Sequence, residues 1–183
     1  TVAELTTAAD TVKAEWATSV VYWNEAWAPV VGNSTYPYPA SALHRVPASV
    51  DWISVDYYRE TSDAWVVPRA AYASHIYPKM NSRQFALQVP QAFGKKSWSN
   101  ADVNSVRWWD EWSSKVAQEY FVWAQADPRI IGINPWYWGP DRPDISCGGY
   151  NVSITHLPAA RAEWTKIGQT ILASLNHSRV GLR

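Results

Sequence analysis

Four short apolar runs alternate with helical patterns, and each run ends in a polar or aromatic cluster. That alternation predicts an α/β fold with a parallel sheet, a TIM-barrel-like (β/α) repeat. Four βα units are recognisable, half of an eight-fold barrel, so the 183 residues form one barrel-type domain or half-domain, 1–183. No G-x-G-x-x-G or G-x-x-x-x-G-K follows any run, which removes the usual nucleotide-binding patterns.

The elements follow in order. Leu5, Ala8, Val12 and Trp16 recur at three and four residues, the period of an amphipathic helix. Val20 to Asn24 reads as a buried strand. The Pro/Tyr segment from Ala28 to Ser49 is too Pro-rich for a helix and too long for an idle turn, so it is expected to cover a site. DWISVDYY, 51–58, is a second strand. Ser62 to Ile76 is helical, with Pro68 breaking or kinking it. QFALQV, 84–89, is a third strand ended by Pro90. Val106, Trp109, Trp112, Val116, Tyr120 and Trp123 line one face of a helix over 101–126, capped by Asn100 or Asp102. RIIGIN, 129–134, is a fourth strand. A Gly/Pro-rich loop spans Pro135 to Leu157. Pro158 starts a last helix, 159–175, with Ala160, Trp164, Ile167, Ile171 and Leu175 inward.

Composition narrows the function. Sixteen basic residues balance sixteen acidic ones, so no basic field exists to hold nucleic acid. No apolar run reaches the length of a membrane span. The opening TVAELTTAAD has no signal-peptide pattern, as expected of a processed or trimmed chain. Cys147 stands alone, which excludes an intrachain disulfide and a Cys-based metal site. The four His, at 44, 75, 156 and 177, show no metal spacing; His44 and His156 lie in loops near the expected mouth. Three sequons, at Asn33, Asn151 and Asn176, point to a secreted glycoprotein. The unusual number is 13 Trp, with 10 Tyr against 3 Phe. Flat rings with a polar atom suit a wet groove, and sugars present both apolar C–H faces and hydroxyl rims. About half of the Trp are expected in the core.

Ligand sites of (β/α) barrels lie at the C-terminal edge of the strands. There the sequence offers Asn24-Glu25, Asp56-Tyr57-Tyr58, Gln88 with Gln91, and Asn134 with Trp136 and Trp138. Glu25, among Tyr22, Trp23 and Trp27, is a partly desolvated carboxyl, the environment of a general acid. The alternative is a cap of the next segment or a partner for an Arg. Asn24 is placed to hold a substrate hydroxyl. Strand alternation puts Asp56 on one face with Ser54 and Tyr58, as partner carboxylate, orienting group or hydrogen-bonded barrel-mouth Asp; Glu60 is the second choice. Gln88 and Gln91 either bind a sugar hydroxyl or acetamido group or are tied to backbone. Trp23, Tyr57, Tyr58, Trp136 and Trp138 are the expected stacking surfaces. Asp141 and Asp144, in GPDRPD, are expected to make loop turns.

The pieces YWNEAW (22–27), DWISVDYY (51–58), QFALQVPQAFG (84–94) and IIGINPWYWG (130–139) resemble the C-terminal part of a (β/α)8-barrel glycoside hydrolase. The group in question places its acid/base Glu after an Asn at the end of strand four. The resemblance implies an O-glycosyl hydrolase with Asn24-Glu25 as that pair, a carbohydrate substrate and no cofactor. The chain departs from that group in its nucleophile. The third strand after the pair ends Ile133-Asn134-Pro135 and the second ends Gln88-Val89-Pro90-Gln91, neither with a Glu. The alternative is a non-catalytic glycan-binding or structural extracellular relative. Either the N-terminal half of the ring is missing from this chain or a second chain supplies it, and an open half-barrel edge implies a close partner chain or a homodimer that completes the ring.

Overall fold

The first amphipathic run folds as helix α1, Val2–Glu15. Its buried residues are Val2 and Ala9, with Leu5 and Val12 half-buried beside them. The inward stripe is therefore rotated one position from the expected one, and Trp16 is 66% exposed. The physical reason is at the helix end. Lys13 Nζ reaches Asp51 Oδ2 at 2.6 Å and the Ser19 carbonyl at 2.5 Å. That clamp, with the Val21 amide on Asp51 Oδ2 at 2.7 Å, ties the last turn of the helix and the approach to the first strand to the residue before Trp52, and leaves Trp16 outside the buried stripe.

The computed structural model describes residues 2–26, 45–56, 68–97, 103–136, 142–144 and 149–180. Its main sheet is parallel, in the order β1 (Tyr22–Ala26), β2 (Trp52–Asp56), β3 (Phe85–Gln88) and β5 (Ile130–Ile133). Strands follow one another across the sheet in chain order, the progression of a partial (β/α) barrel. Ile53, Ser54 and Val55 are all buried, as in a parallel strand covered on both faces. Pro68 precedes a helical segment made of α2 (Arg69–Ala71), a π turn (Tyr72–Ile76) and a 3-10 turn (Tyr77–Lys79). Thus the helix expected over 62–76 runs three residues further, and its 62–67 portion lies outside the described residues.

The chain divides into two units. The first holds α1, β1, β2, α2 with its two turns, β3 and β5, together with the last turn of α3 (Val103–Ala126) from Trp123 onward. The second holds α3 up to Val122, β4 (Gly94–Ser97), β6 (Arg142–Asp144), β7 (Gly149–Val152) and α4 (Pro158–Val180). The antiparallel sheet β4-β7-β6 corrects the expected loop over 135–157. Asp144 pairs with Gly149 in that ladder and does not make a loop turn. Strands of three or four residues with Gly and Pro inside them carry no periodicity that a sequence reading could catch.

The core of the second unit is aromatic. Trp109, Trp112, Val116 and Tyr120 of α3 are buried on the expected face. The rings of Trp109 and Trp112 meet edge to face at 5.3 Å. Asp110 caps α4 from a distance in sequence, accepting from the Ala159 amide at 3.1 Å and the Ala160 amide at 2.9 Å. A carboxylate there also favours the positive end of the helix dipole. Ala160, Trp164 and Ile167 are buried as expected, but Ile171 and Leu175 are 38% and 55% exposed. Gly94 is fixed by close approach: a Cβ there would meet Trp109 Cβ and Cγ at 2.8 Å. Gly94→Ala is therefore expected to cost about 1–3 kcal/mol of stability through overpacking, read as a lower urea midpoint.

At the start of β5, a tight polar cluster holds the first unit. Asp127 accepts from Arg129 Nε at 2.9 Å, Arg129 Nη2 at 3.0 Å and the Tyr77 hydroxyl at 2.8 Å. The Arg129 guanidinium lies 3.5 Å from the Tyr77 ring centroid. Burial pushes the Asp127 carboxyl up, but the hydrogen bonds from Arg129 and Tyr77 outweigh it and pull it down to about 2. A depressed carboxyl contributes stability above its unfolded value of about 3.9 and loses it as pH falls toward 2. Arg129 is half exposed, so water screens the pair and the contribution is about 1–2 kcal/mol. Urea melts between pH 5 and pH 2 are expected to show this loss in the native chain and to show it blunted in Asp127→Asn.

Candidate functional site

The site begins with pleat and register. β1 and β2 pair as Asn24↔Ser54, Glu25↔Val55 and Ala26↔Asp56. In a parallel ladder, paired residues share a face and successive residues alternate. Asn24, Ser54 and Asp56 therefore lie on one face, together with Tyr22. Glu25 lies on the other. Asp56 bridges to Val89 on the next strand, so Val55 and Gln88, one residue earlier on each strand, fall on the face of Glu25.

The first set is joined by hydrogen bonds. Asn24 Nδ2 donates to Asp56 Oδ1 at 3.0 Å. Ser54 Oγ donates to Asn24 Oδ1. Since the Ser54 proton is spent there, the 2.5 Å contact between Tyr22 Oη and Ser54 Oγ has the tyrosine as donor. The result is a one-directional relay, Tyr22 to Ser54 to Asn24, that ends on the Asp56 carboxylate. It fixes which way the Asn24 amide faces. The Tyr72 hydroxyl hydrogen-bonds the Val55 backbone close by. Burial pushes that phenol well up, and the neighbouring Tyr22 and Asp56 push it the same way.

On the other face, Glu25 and Trp23 are half-buried. Gln88 is fully buried, and neither atom of its amide has a hydrogen-bond partner among the described residues. The contrast within one strand region is sharp. Gln84, four residues earlier, is also buried but donates to the Pro47 and Val50 carbonyls at 2.6 and 2.8 Å and accepts from the Asn81 amide at 2.9 Å. An amide left unpaired in a protein interior costs about 1–3 kcal/mol per group. Gln84 is a structural amide, and Gln88 is not explained by structure.

Of the residues the sequence singled out, Asn24 and Asp56 are brought together directly. Asn134 is exposed, and its backbone N–H donates to the Gln88 backbone carbonyl at 2.7 Å. In the second unit, Gln91 bridges to Trp136, the Ala92 amide donates to the Trp136 carbonyl at 2.5 Å, and Trp136 is 47% exposed. Gln91 Nε2 donates to the Phe93 carbonyl at 3.0 Å, while its Oε1 is unpartnered. Glu25 and Asp56, placed as an acid and its partner by the sequence, are on opposite faces of the sheet and not on one. Trp27, Asn33, His44, Tyr57, Tyr58, Glu60, Trp138, Asp141 and Cys147 lie outside the described residues. Asn151 falls in β7 and Asn176 in α4. His156 is exposed at the end of a 3-10 turn, Ile154–His156.

Tyr22, Ser54 and Tyr72 are site residues that the sequence reading missed; it set Tyr22 against Glu25, and strand alternation turns it to the other face. Ser54 was legible: it shares Asp56's parity in WISVD, and a lone Ser in a buried apolar strand needs a partner. Tyr72 had no such mark, because its position depends on a π turn. A cleft of about 490 Å3, walled by Arg69, Tyr77, Trp123 and Arg129, opens at the opposite end of the strands. It is built on the Asp127 cluster and is separate from the polar relay.

Among the described residues, no group of three or more His, Cys, Asp or Glu is placed to hold a metal ion. Among them, no helix is long and apolar enough to cross a membrane. Set beside known protein families, curated proteins and solved structures, the chain matches none.

Proposed function

We propose that this chain acts on O-glycosidic bonds of an oligo- or polysaccharide, in a secreted setting and without a cofactor. The observation that carries the reading is the relay Tyr22–Ser54–Asn24–Asp56 at the C-terminal ends of two adjacent parallel strands, with Glu25 in the same strand end. Parallel βα folds use that edge for ligands. Polar side chains that hydrogen-bond one another at such an edge, beside the buried Ile53 and Val55, are pre-organised groups of the kind a ligand meets there.

In this reading Glu25 protonates the leaving oxygen. Asp56, on the opposite face of the sheet, is an orienting carboxylate: it holds the Asn24 amide, and the relay fixes the end of β1 that carries Glu25. Trp23, half-buried on the face of Glu25, supplies a flat apolar surface for a sugar ring. Tyr57, Tyr58, Gln88, Gln91, Asn134, Trp136 and Trp138 remain substrate contacts proposed from the sequence alone.

One observation favours a second reading, a glycan-binding protein without turnover. Glycoside cleavage by two carboxyls needs both at the scissile bond. The residues that share Glu25's face on the neighbouring strands are Val55 and Gln88, and β5 leads into Asn134. A panel of plant, fungal and animal glycans separates the two readings. Release of reducing ends by the purified chain, lost in Glu25→Gln, supports hydrolysis. Retention of a glycan with no reducing ends released supports binding alone. Neither release nor retention on any glycan overturns the proposal.

A further inference from the structure

The cleft at the far end of the strands carries the next inference. Arg69, Ala73, Tyr77, Ala126, Asp127 and Arg129 line it, and all belong to the first unit. Its volume of about 490 Å3 lies within the usual range of small-molecule sites, whereas the adjoining cleft beside Phe85, of about 240 Å3, lies below that range. The charges in the larger cleft do not cancel. Asp127 Oδ1 accepts from the Arg129 backbone N–H at 3.1 Å and from Nε at 2.9 Å. Its Oδ2 accepts from Arg129 Nη2 at 3.0 Å and from the Tyr77 hydroxyl at 2.8 Å. Those bonds use up the lone-pair sites of a carboxylate. Two of the five guanidinium N–H groups of Arg129 are spent there, so three remain. The Tyr77 ring, 3.5 Å from the guanidinium carbon, holds that plane in place. Arg69 is exposed and makes no ion pair among the described residues. Two guanidinium groups thus meet one consumed carboxylate, which leaves one positive charge in excess.

From this set we infer that the cleft binds a monocarboxylate carried on a ring. The remaining N–H groups of Arg129 and the fork of Arg69 donate to the carboxylate, and the ring lies against the small apolar groups Ala73, Ala126 and Pro128. One excess cation matches one negative charge, whereas a phosphomonoester brings about 1.5–2 at neutral pH. A planar carboxylate also matches the planar fork of a guanidinium, which accounts for two arginines here and no lysine. Two kinds of molecule share this chemistry: an aromatic acid, and a hexuronate, whose ring presents an apolar C–H face. The groups involved lie at the opposite end of the strands from the polar relay, so the inference stands apart from the glycan reading.

Two-dimensional NMR of the nitrogen-labelled full chain tests it, with benzoate and glucuronate as probes and benzamide and glucuronamide as their neutral counterparts. At least one acid is expected to shift the Ala73 and Ala126 amides and the Arg129 Nε–H signal saturably, with a dissociation constant of about 1 mM or tighter. Which acid does so names the source: benzoate an aromatic acid, glucuronate a uronate, and both the shared chemistry. Signals of Asn24 and Ser54 should stay in place. Arg69→Gln removes an exposed side chain that supports nothing else, and is expected to weaken binding by about tenfold. Arg83→Gln, exposed and outside both clefts, should leave it unchanged. Matching amide spectra of the two variants away from the substituted residues check that both are folded. No shift with either acid at about 10 mM, equal shifts with the neutral counterparts, or equal weakening by the two arginine variants would each overturn the assignment.

Discussion

Glu25→Gln is expected to lower kcat/KM on any glycan the chain hydrolyses by about 10²–10⁴-fold, the range that a positioned proton donor contributes. The amide keeps the size and the polar tip of the side chain, so glycan retention on an affinity column should survive. What it loses is the transferable proton. The outcome separates Glu25 from its neighbour. Asp56→Asn leaves an oxygen for Asn24 Nδ2, which now lies 3.0 Å from the carboxylate, so an orienting role predicts a smaller loss there. Equal loss in both variants would make Asp56 a reacting carboxylate. Unchanged turnover in Glu25→Gln would remove it from the chemistry. The relay offers a further internal check, because the Ser54 bond to Asn24 Oδ1 ties the same amide from its other end.

Trp123→Ala is expected to cost about 3–5 kcal/mol, the usual range for deleting a buried indole. Trp123 is 3% exposed, and its ring meets Tyr72 edge to face at 5.0 Å with the planes 86° apart. Against a total stability of about 5–15 kcal/mol, that loss is a third or more. The effect reaches beyond stability. Tyr72 is 1% exposed and fixes its hydroxyl on the Val55 backbone, next to Tyr22 and Asp56. With the indole gone, Tyr72 has room to swing, and the relay loses its wall. Urea denaturation reads the first effect; near-ultraviolet circular dichroism of the tyrosines reads the second. A loss below about 1 kcal/mol would mean that the site collapses around the deletion.

The sheet was legible because its strands are continuous apolar runs, the mark of burial on both faces. All four were expected, within two residues at each described end: Tyr22–Ala26, Trp52–Asp56, Phe85–Gln88 and Ile130–Ile133. The long aromatic stripe of α3 was equally clear, since Trp109, Trp112, Val116, Tyr120 and Trp123 repeat at helical spacing and are all buried. The sheet β4-β7-β6 was not legible. Its strands hold Gly, Lys, Pro and Asp, and only the ladder between them defines them. The last helix shows the limit from the other side. The stripe through Ala160, Trp164 and Ile167 continues unbroken to Ile171 and Leu175, yet the final pair is exposed. Periodicity reveals which face is apolar, but nothing in it says how far along that face a covering surface extends.

The candidate site divides in the same way. Period-two alternation along a strand is a local property, so the grouping of Ser54 with Asp56 could be read from WISVD alone, as could the separation of Asn24 from Glu25. Which residue of β1 stands opposite which residue of β2 is a matter of register between segments some 25 residues apart, and no local pattern encodes it. The pairing Asn24↔Ser54 is what turns two polar strand ends into one relay and leaves Glu25 facing Val55. The contrast between Gln84 and Gln88 arises likewise. The two amides are chemically identical and four residues apart. One is satisfied and the other is not because the Pro47 and Val50 carbonyls come to Gln84 through the fold. Residue type and spacing establish strands, helices and the chemistry on offer; long-range register and backbone approach select which of those groups meet.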